Sequence, residues 1–164
     1  MKKILLSLFI LFIFFIAPAQ LVGKVASIAD GDTFTMIIQS KKIKVRLYGI
    51  DCPEKGQEFY STAKQFLSGK VLNKTVSVKK LNTDPYGRTV GIARVDGVNV
   101  NEKLLEAGLA WHYNNYDKSL AWTNLEKKLS KTKKGYGFNT TRKRLGHIGK
   151  KRGRNSFHSG TNLL

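Results

Sequence analysis

Three short stretches hold the side chains that could do chemistry: Asp30-Gly31-Asp32-Thr33, Arg46 followed by Asp51-Cys52-Pro53-Glu54, and Asp84-Pro85-Tyr86-Gly87-Arg88. They place carboxylates and two arginines in a chain otherwise poor in acid, with 29 lysines and arginines against 11 aspartates and glutamates. Carboxylates that converge hold a hard divalent cation through oxygen. Arginines beside them clamp a phosphate by two-pronged hydrogen bonds. A cation, a phosphate clamp and a spare carboxylate are what cutting a phosphodiester bond requires.

Asp32 opens a strand and projects a carboxylate, and Asp51 stands at the end of a strand that can pair with it. Two carboxylates on paired strand ends can reach one cation, with backbone carbonyls and waters supplying the remaining oxygens. Pro53 stops a strand ladder and fixes a turn. That turn brings Glu54 back toward Asp51, where a carboxylate could orient and deprotonate an attacking water. The plainer alternative is that Glu54 caps the next helix or pairs with a lysine. Arg46 and Arg88 are either surface charges of a basic protein or the fixed donors that a crowded, doubly charged phosphorane needs.

Cys52 lacks the flanking patterns of cysteine enzymes, so a small buried side chain is expected, with its backbone carbonyl free to face the metal. No cluster of histidine and cysteine offers a zinc site. Trp111, His112, Tyr113 and Tyr116 are packing residues or a surface on which bases stack. His112 as a general acid is a further reading. Lys127, Lys128, Lys131, Lys133 and Lys134 form a solvated helix face first and a phosphate track second.

The elements that must position these groups follow from periodicity. Leu21 to Ala29, Thr33 to Ile38 and Lys42 to Tyr48 read as strands. In the third, Ile43, Val45 and Leu47 lie on one face and Lys44, Arg46 and Tyr48 on the other. Phe59, Ala63, Phe66 and Leu67 recur at helical spacing, with Gly69 as the stop. Lys74 to Leu81, Arg88 to Val95 and Val98 to Val100 read as strands, the last two joined by the hairpin signal Asp96-Gly97. Asn101 is placed to cap a short helix through Leu104, Leu105 and Leu109. A last helix fits Ser119 to Lys131. Without a βαβ repeat, closing so few strands into a small barrel leaves no open edge.

The 164 residues support one domain, and their net charge of +18 favours polyanions, either nucleic acid or an anionic membrane surface. Met1-Lys2-Lys3, the apolar run Ile4 to Ala17 and the small-residue flank Ala17-Pro18-Ala19 form an export signal with cleavage after Ala19. The alternative is an uncleaved N-terminal anchor. A single cysteine rules out an internal disulfide. From Asn139 onward periodicity disappears and basic residues accumulate without acid, which predicts a disordered arm. The expected organisation is a signal over residues 1–19, a domain over 20–138 and a basic tail over 139–164.

Taken together, DGDT at 30–33, VRLYGIDCPE at 45–54, DPYGR at 84–88 and VNVNEKLLEAGLAW at 98–111 resemble the thermonuclease family, the staphylococcal-nuclease-like domains. The likeness spans roughly Val22 to Phe138. It implies an α+β fold, an OB-fold with a five-stranded barrel and about three accessory helices. It also implies Ca2+-dependent hydrolysis of DNA and RNA. The family's metal carboxylates fall on Asp32 and Asp51, and its carbonyl ligand on Cys52, where the best-known members have threonine. Its general base falls on Glu54 and its phosphate-binding arginines on Arg46 and Arg88. Asp30 and Thr33 match positions supporting the metal acids, and Tyr86 a tyrosine beside the substrate phosphate. The resulting expectation is an exported monomer, periplasmic or secreted, cutting single-stranded or frayed nucleic acid with little sequence preference and keeping no stable membrane partner once the signal is removed. The rival is a catalytically silent barrel that only grips single strands.

Overall fold

The computed structural model describes residues 20–132. The signal, the tail and Lys133 and Lys134 of the basic run therefore lie outside the described residues. Eight strands and three helices follow in the order β1 (Gln20–Asp30), β2 (Thr33–Ile38), β3 (Lys41–Leu47), β4 (Ile50–Asp51), α1 (Tyr60–Val71), β5 (Thr75–Thr83), β6 (Thr89–Val95), β7 (Val98–Asn99), α2 (Val100–Glu106), β8 (Trp111–His112) and α3 (Leu120–Thr132). The period-two pattern of β3 holds as expected. Val45 and Leu47 are buried, while Lys42 and Lys44 face outward.

The main sheet runs β3-β2-β1-β5-β6-β7. Parallel pairing of β3 with β6, in the register Val45↔Thr89 to Leu47↔Gly91, returns the sheet on itself. The result is a closed five-stranded barrel with three helices, the OB-fold-like α+β architecture that the sequence implied. Its interior is filled by Val25, Phe34, Met36, Val45, Leu47, Val76, Val78 and Ala93. The buried side of α1 (Ala63, Leu67, Val71) and Leu104 and Leu105 of α2 join the same core. Tight curvature leaves no room at Gly91, where an added Cβ would stand 2.5 Å from the Lys79 carbonyl oxygen.

Three local expectations need correction. α1 runs through Gly69 to Val71, because the buried Val71 rewards the extra turn more than one glycine costs. The last short strand ends at Asn99, and Val100 already belongs to α2. The cap of α2 is Asn99, whose side chain accepts hydrogen bonds from the backbone of Asn101 at 3.0 Å and Glu102 at 3.4 Å. Asn101 is instead a buried clamp between strands. Its Oδ1 accepts from Ala93 N at 3.1 Å and its Nδ2 donates to the Tyr48 carbonyl at 2.9 Å.

Candidate active site

The barrel gathers most of the predicted site residues at one place, while Thr33 is buried beneath it and Tyr86 stands on a neighbouring groove. Asp30 and Asp32 sit on the turn between β1 and β2, Arg46 on the outward face of β3, and Asp51 ends β4. The register Thr33↔Arg46 fixes the first pair of elements. β4 is held by a two-residue ladder to β8, Ile50↔His112 and Asp51↔Trp111. Asp30, Asp32, Arg46, Asp51, Cys52, Glu54 and Arg88 together line a cavity of about 290 Å³, closed on one side by Tyr60 of α1.

Arg46 is its centre. Its Nη2 donates to Asp51 Oδ1 at 2.7 Å, and its Nη1 forms an ion pair with Asp32 Oδ2. Nη1 is buried against that carboxylate. Asp32 is almost fully buried, and its charge is met from three sides. Cys52 N donates to Oδ2 at 3.0 Å, Thr33 Oγ1 donates to Oδ1 at 3.1 Å, and Arg46 closes the third. Asp30 turns inward to accept from Asp32 N at 3.2 Å. Asp51 is different, with half its side-chain surface open to the cavity.

Gly31 explains why this turn stays where it is. A Cβ there would come within 2.8 Å of Cys52 Cβ and 2.9 Å of Ala63 Cβ. The Asp30–Asp32 turn is thus pressed onto both the Cys52 loop and α1. Burial pushes the Cys52 thiol far above its ordinary pKa, so the sulfur is neutral packing and not a nucleophile.

Glu54 stands exposed at the cavity mouth, and among the described residues its carboxylate has no ion-pair or hydrogen-bond partner. Its backbone is anchored instead, with Glu54 N donating to Gln57 Oε1 at 2.8 Å and Gln57 N donating to the Glu54 carbonyl at 2.8 Å. The helix cap alternative does not hold, since Phe59 occupies the N-cap of α1 with no side-chain cap bond.

Arg88 reaches the same cavity from the turn before β6. Asp84 builds that turn, accepting from Tyr86 N and Arg88 N at 2.9 Å each and from Arg88 Nε at 2.6 Å. Burial alone would raise the Asp84 carboxyl, but the hydrogen bonds and charge of Arg88 outweigh it and hold the pKa below its usual value. Because Nε takes the aspartate, the Nη groups remain for a ligand. This turn-building role of Asp84 goes beyond what the sequence reading assigns to it. The signal was there, since aspartate before Pro-x-Gly accepts from the backbone two residues on.

The aromatic cluster divides. His112 is fully buried, with Nε2 3.0 Å from Asp117 Oδ1 and Nδ1 3.2 Å from Thr123 Oγ1, which ties α3 to the strand pair carrying Asp51. It cannot touch a substrate, so the general-acid reading falls. Trp111, Tyr113 and Tyr116 line a second groove of about 440 Å³ that shares Arg46, Asp51 and Arg88 with the first. The Tyr113 and Tyr116 rings lie 4.9 Å apart, tilted by 33°. Tyr86 is an exposed wall of this groove at 76%.

The donor set suits a hard cation. Asp32 and Asp51 are bridged by one guanidinium, which brings two anionic oxygens to neighbouring positions beside a polar cavity. Among the described residues no cluster of three or more histidine, cysteine, aspartate or glutamate side chains is assembled. A cation would complete its shell with carbonyl and water oxygen, as calcium and magnesium accept and zinc does not favour.

Residues 44–136 match the model of the family described as staphylococcal nuclease homologue. An uncharacterized endonuclease of Escherichia coli O157:H7 is 32% identical over 136 residues, covering 82% of this chain and 89% of that protein. A micrococcal nuclease of Shigella flexneri is 36% identical over 111 residues, 62% of this chain and 64% of its own length. Protein ParB of Escherichia coli is 40% identical over 106 residues, 59% and 60% of the two chains. With the barrel, the acid pair and both arginines in place, matches of this extent mean that the chain belongs to the staphylococcal nuclease homologue family.

Proposed function

We propose that this protein is an exported nuclease that hydrolyses phosphodiester bonds of DNA and RNA with Ca2+ and with little sequence preference. The observation that carries the reading is the convergence of Asp32, Arg46, Asp51, Glu54 and Arg88 on one cavity. Relatives named endonuclease and micrococcal nuclease support the reaction class. Asp32, Asp51 and the Cys52 carbonyl would hold the cation, which when bound neutralises charge on a nonbridging phosphate oxygen.

The protein's own side chains do the rest. Glu54, exposed at the mouth, takes a proton from water as the water oxygen bonds to phosphorus. The opposite P–O bond breaks and the leaving oxygen departs with the electron pair. The Arg46 guanidinium at the cavity wall and the Nη groups of Arg88 donate to the equatorial oxygens as charge grows there. Phosphate contacts carry no base information, which supports low sequence preference. The Trp111–Tyr113–Tyr116 groove offers ring faces to a base splayed out of a strand, which supports a single-stranded or frayed substrate.

A silent binding module accounts less well for the site, because exposed or half-exposed carboxylates at Glu54 and Asp51 repel a polyanion. Export rests on the pattern of residues 1–19. Among the described residues no helix is long and apolar enough to cross a membrane. The test is Glu54→Gln, assayed for single-strand cleavage and separately for binding. Turnover is expected to fall at least about a hundredfold with affinity retained. Near-normal turnover would remove Glu54 from the mechanism.

A further inference from the structure

β3 carries more than one cation on the face that bears Arg46. Lys42, Lys44 and Arg46 alternate with Ile43, Val45 and Leu47, so the three positive side chains share the outward side. Each step along this row is about 6.6 Å, of the order of one nucleotide of an extended strand. The cross-strand partners on β2 are uncharged: Thr33 beside Arg46, Thr35 beside Lys44 and Ile37 beside Lys42. Ile37 in turn pairs with Lys24 of β1, a further exposed lysine on the same side.

No aspartate or glutamate occurs at positions 20–29 or 33–50. Among the described residues, Lys24, Lys42 and Lys44 have no ion-pair partner. A sheet face built for stability sets opposite charges across strands. This face instead leaves Lys42 and Lys44 uncompensated, and the row they begin ends on Arg46, which is paired with Asp32 and Asp51 at the centre of the candidate active site. β6 pairs with β3 only from Val45 to Leu47, so the Lys42 and Lys44 end stays open along that edge.

We propose that Lys42, Lys44 and Arg46 form a phosphate track that leads the backbone of single-stranded nucleic acid away from the scissile phosphate, with Lys24 flanking it. The proposal rests on the nuclease reading for its starting point at Arg46. Lysines on an open strand edge also discourage edge-to-edge pairing. That role alone gives no dependence on the length of a nucleic-acid ligand.

The test is equilibrium binding of the full chain to single-stranded oligonucleotides from about two to about twelve nucleotides across a salt series, because salt dependence counts phosphate contacts. The double variant Lys42→Gln/Lys44→Gln is compared with Lys70→Gln/Lys103→Gln, which removes the same charge from α1 and α2. On the longer ligands the track variant is expected to bind about tenfold more weakly at low salt, with a log–log salt slope flatter by about 1.4. The weakening should shrink as the ligand shortens, and Lys42→Arg/Lys44→Arg should restore affinity. An equal loss in the helix control, a loss independent of length, or no loss would overturn the track. Cleavage by the wild type, run in parallel on the same oligonucleotides, reports on the nuclease reading separately, since binding needs no turnover.

Discussion

At the scale of single residues, the site is a set of charges held at unequal readiness. Asp32 is buried and fully engaged, Asp51 is half open, and Glu54 stands exposed at the mouth. Cys52 contributes position and not sulfur chemistry. Cys52→Thr should keep kcat/KM within about threefold, since a small buried swap tolerated by packing costs little, and native Cys52 should alkylate only on unfolding. A folded Cys52→Thr protein without activity would give the sulfur a role it lacks here. Asp84 gives a pH signature. Its folded pKa lies below the unfolded value of about 3.9, so its stabilisation is complete above that value and is lost as pH falls through the folded one. Asp84→Asn should therefore lower Tm near neutrality and converge on wild type in strong acid. A Tm gap that stays constant with pH would contradict the assignment. The same variant frees Arg88 Nε and should lower turnover with binding less affected.

At the scale of elements, long-range pairing decides what local pattern cannot. The alternation of β3 and the apolar spacing of α1 were legible, because burial on one side writes a period into the sequence. β4 and β8 were not, since two-residue strands have no period and exist only through the pairing Ile50↔His112 and Asp51↔Trp111. The motifs named Asp32, Asp51 and Glu54 correctly as neighbours, yet the role of Asp84 and the clamp at Asn101 needed the fold. Two asparagines two residues apart both look like caps, and only the point where β7 ends assigns Asn99. Asn99→Ala should destabilise by about 1 kcal/mol, the usual value of a cap. Asn101→Ala leaves Ala93 N and the Tyr48 carbonyl unpaired in the interior and should cost about 2–4 kcal/mol. Urea unfolding of both variants checks the order, and an Asn99→Ala cost exceeding that of Asn101→Ala would reverse the assignment.

At the scale of the whole molecule, the chain carries a net charge of +18, while its candidate site gathers carboxylates beside two arginines. Under the proposed function the surplus would draw the polyanion in, and the acids would supply the cation site and the base. The basic segment 139–164, outside the described residues, is expected to add affinity through charge alone. Truncation after Phe138 should weaken binding at low salt and flatten the salt slope by about 0.7 per lost contact, with saturated turnover unchanged. A large fall in Tm with an unchanged slope would show that the segment supports the fold instead. The central claim is tested most directly by incubating the purified mature protein with closed circular DNA and with linear RNA, in calcium, in zinc and in chelator. The account predicts nicking and linearisation of the circle and shortening of the RNA in calcium, and neither in zinc or chelator. Binding of both substrates without any cleavage in calcium, or cleavage that persists in chelator, would contradict it.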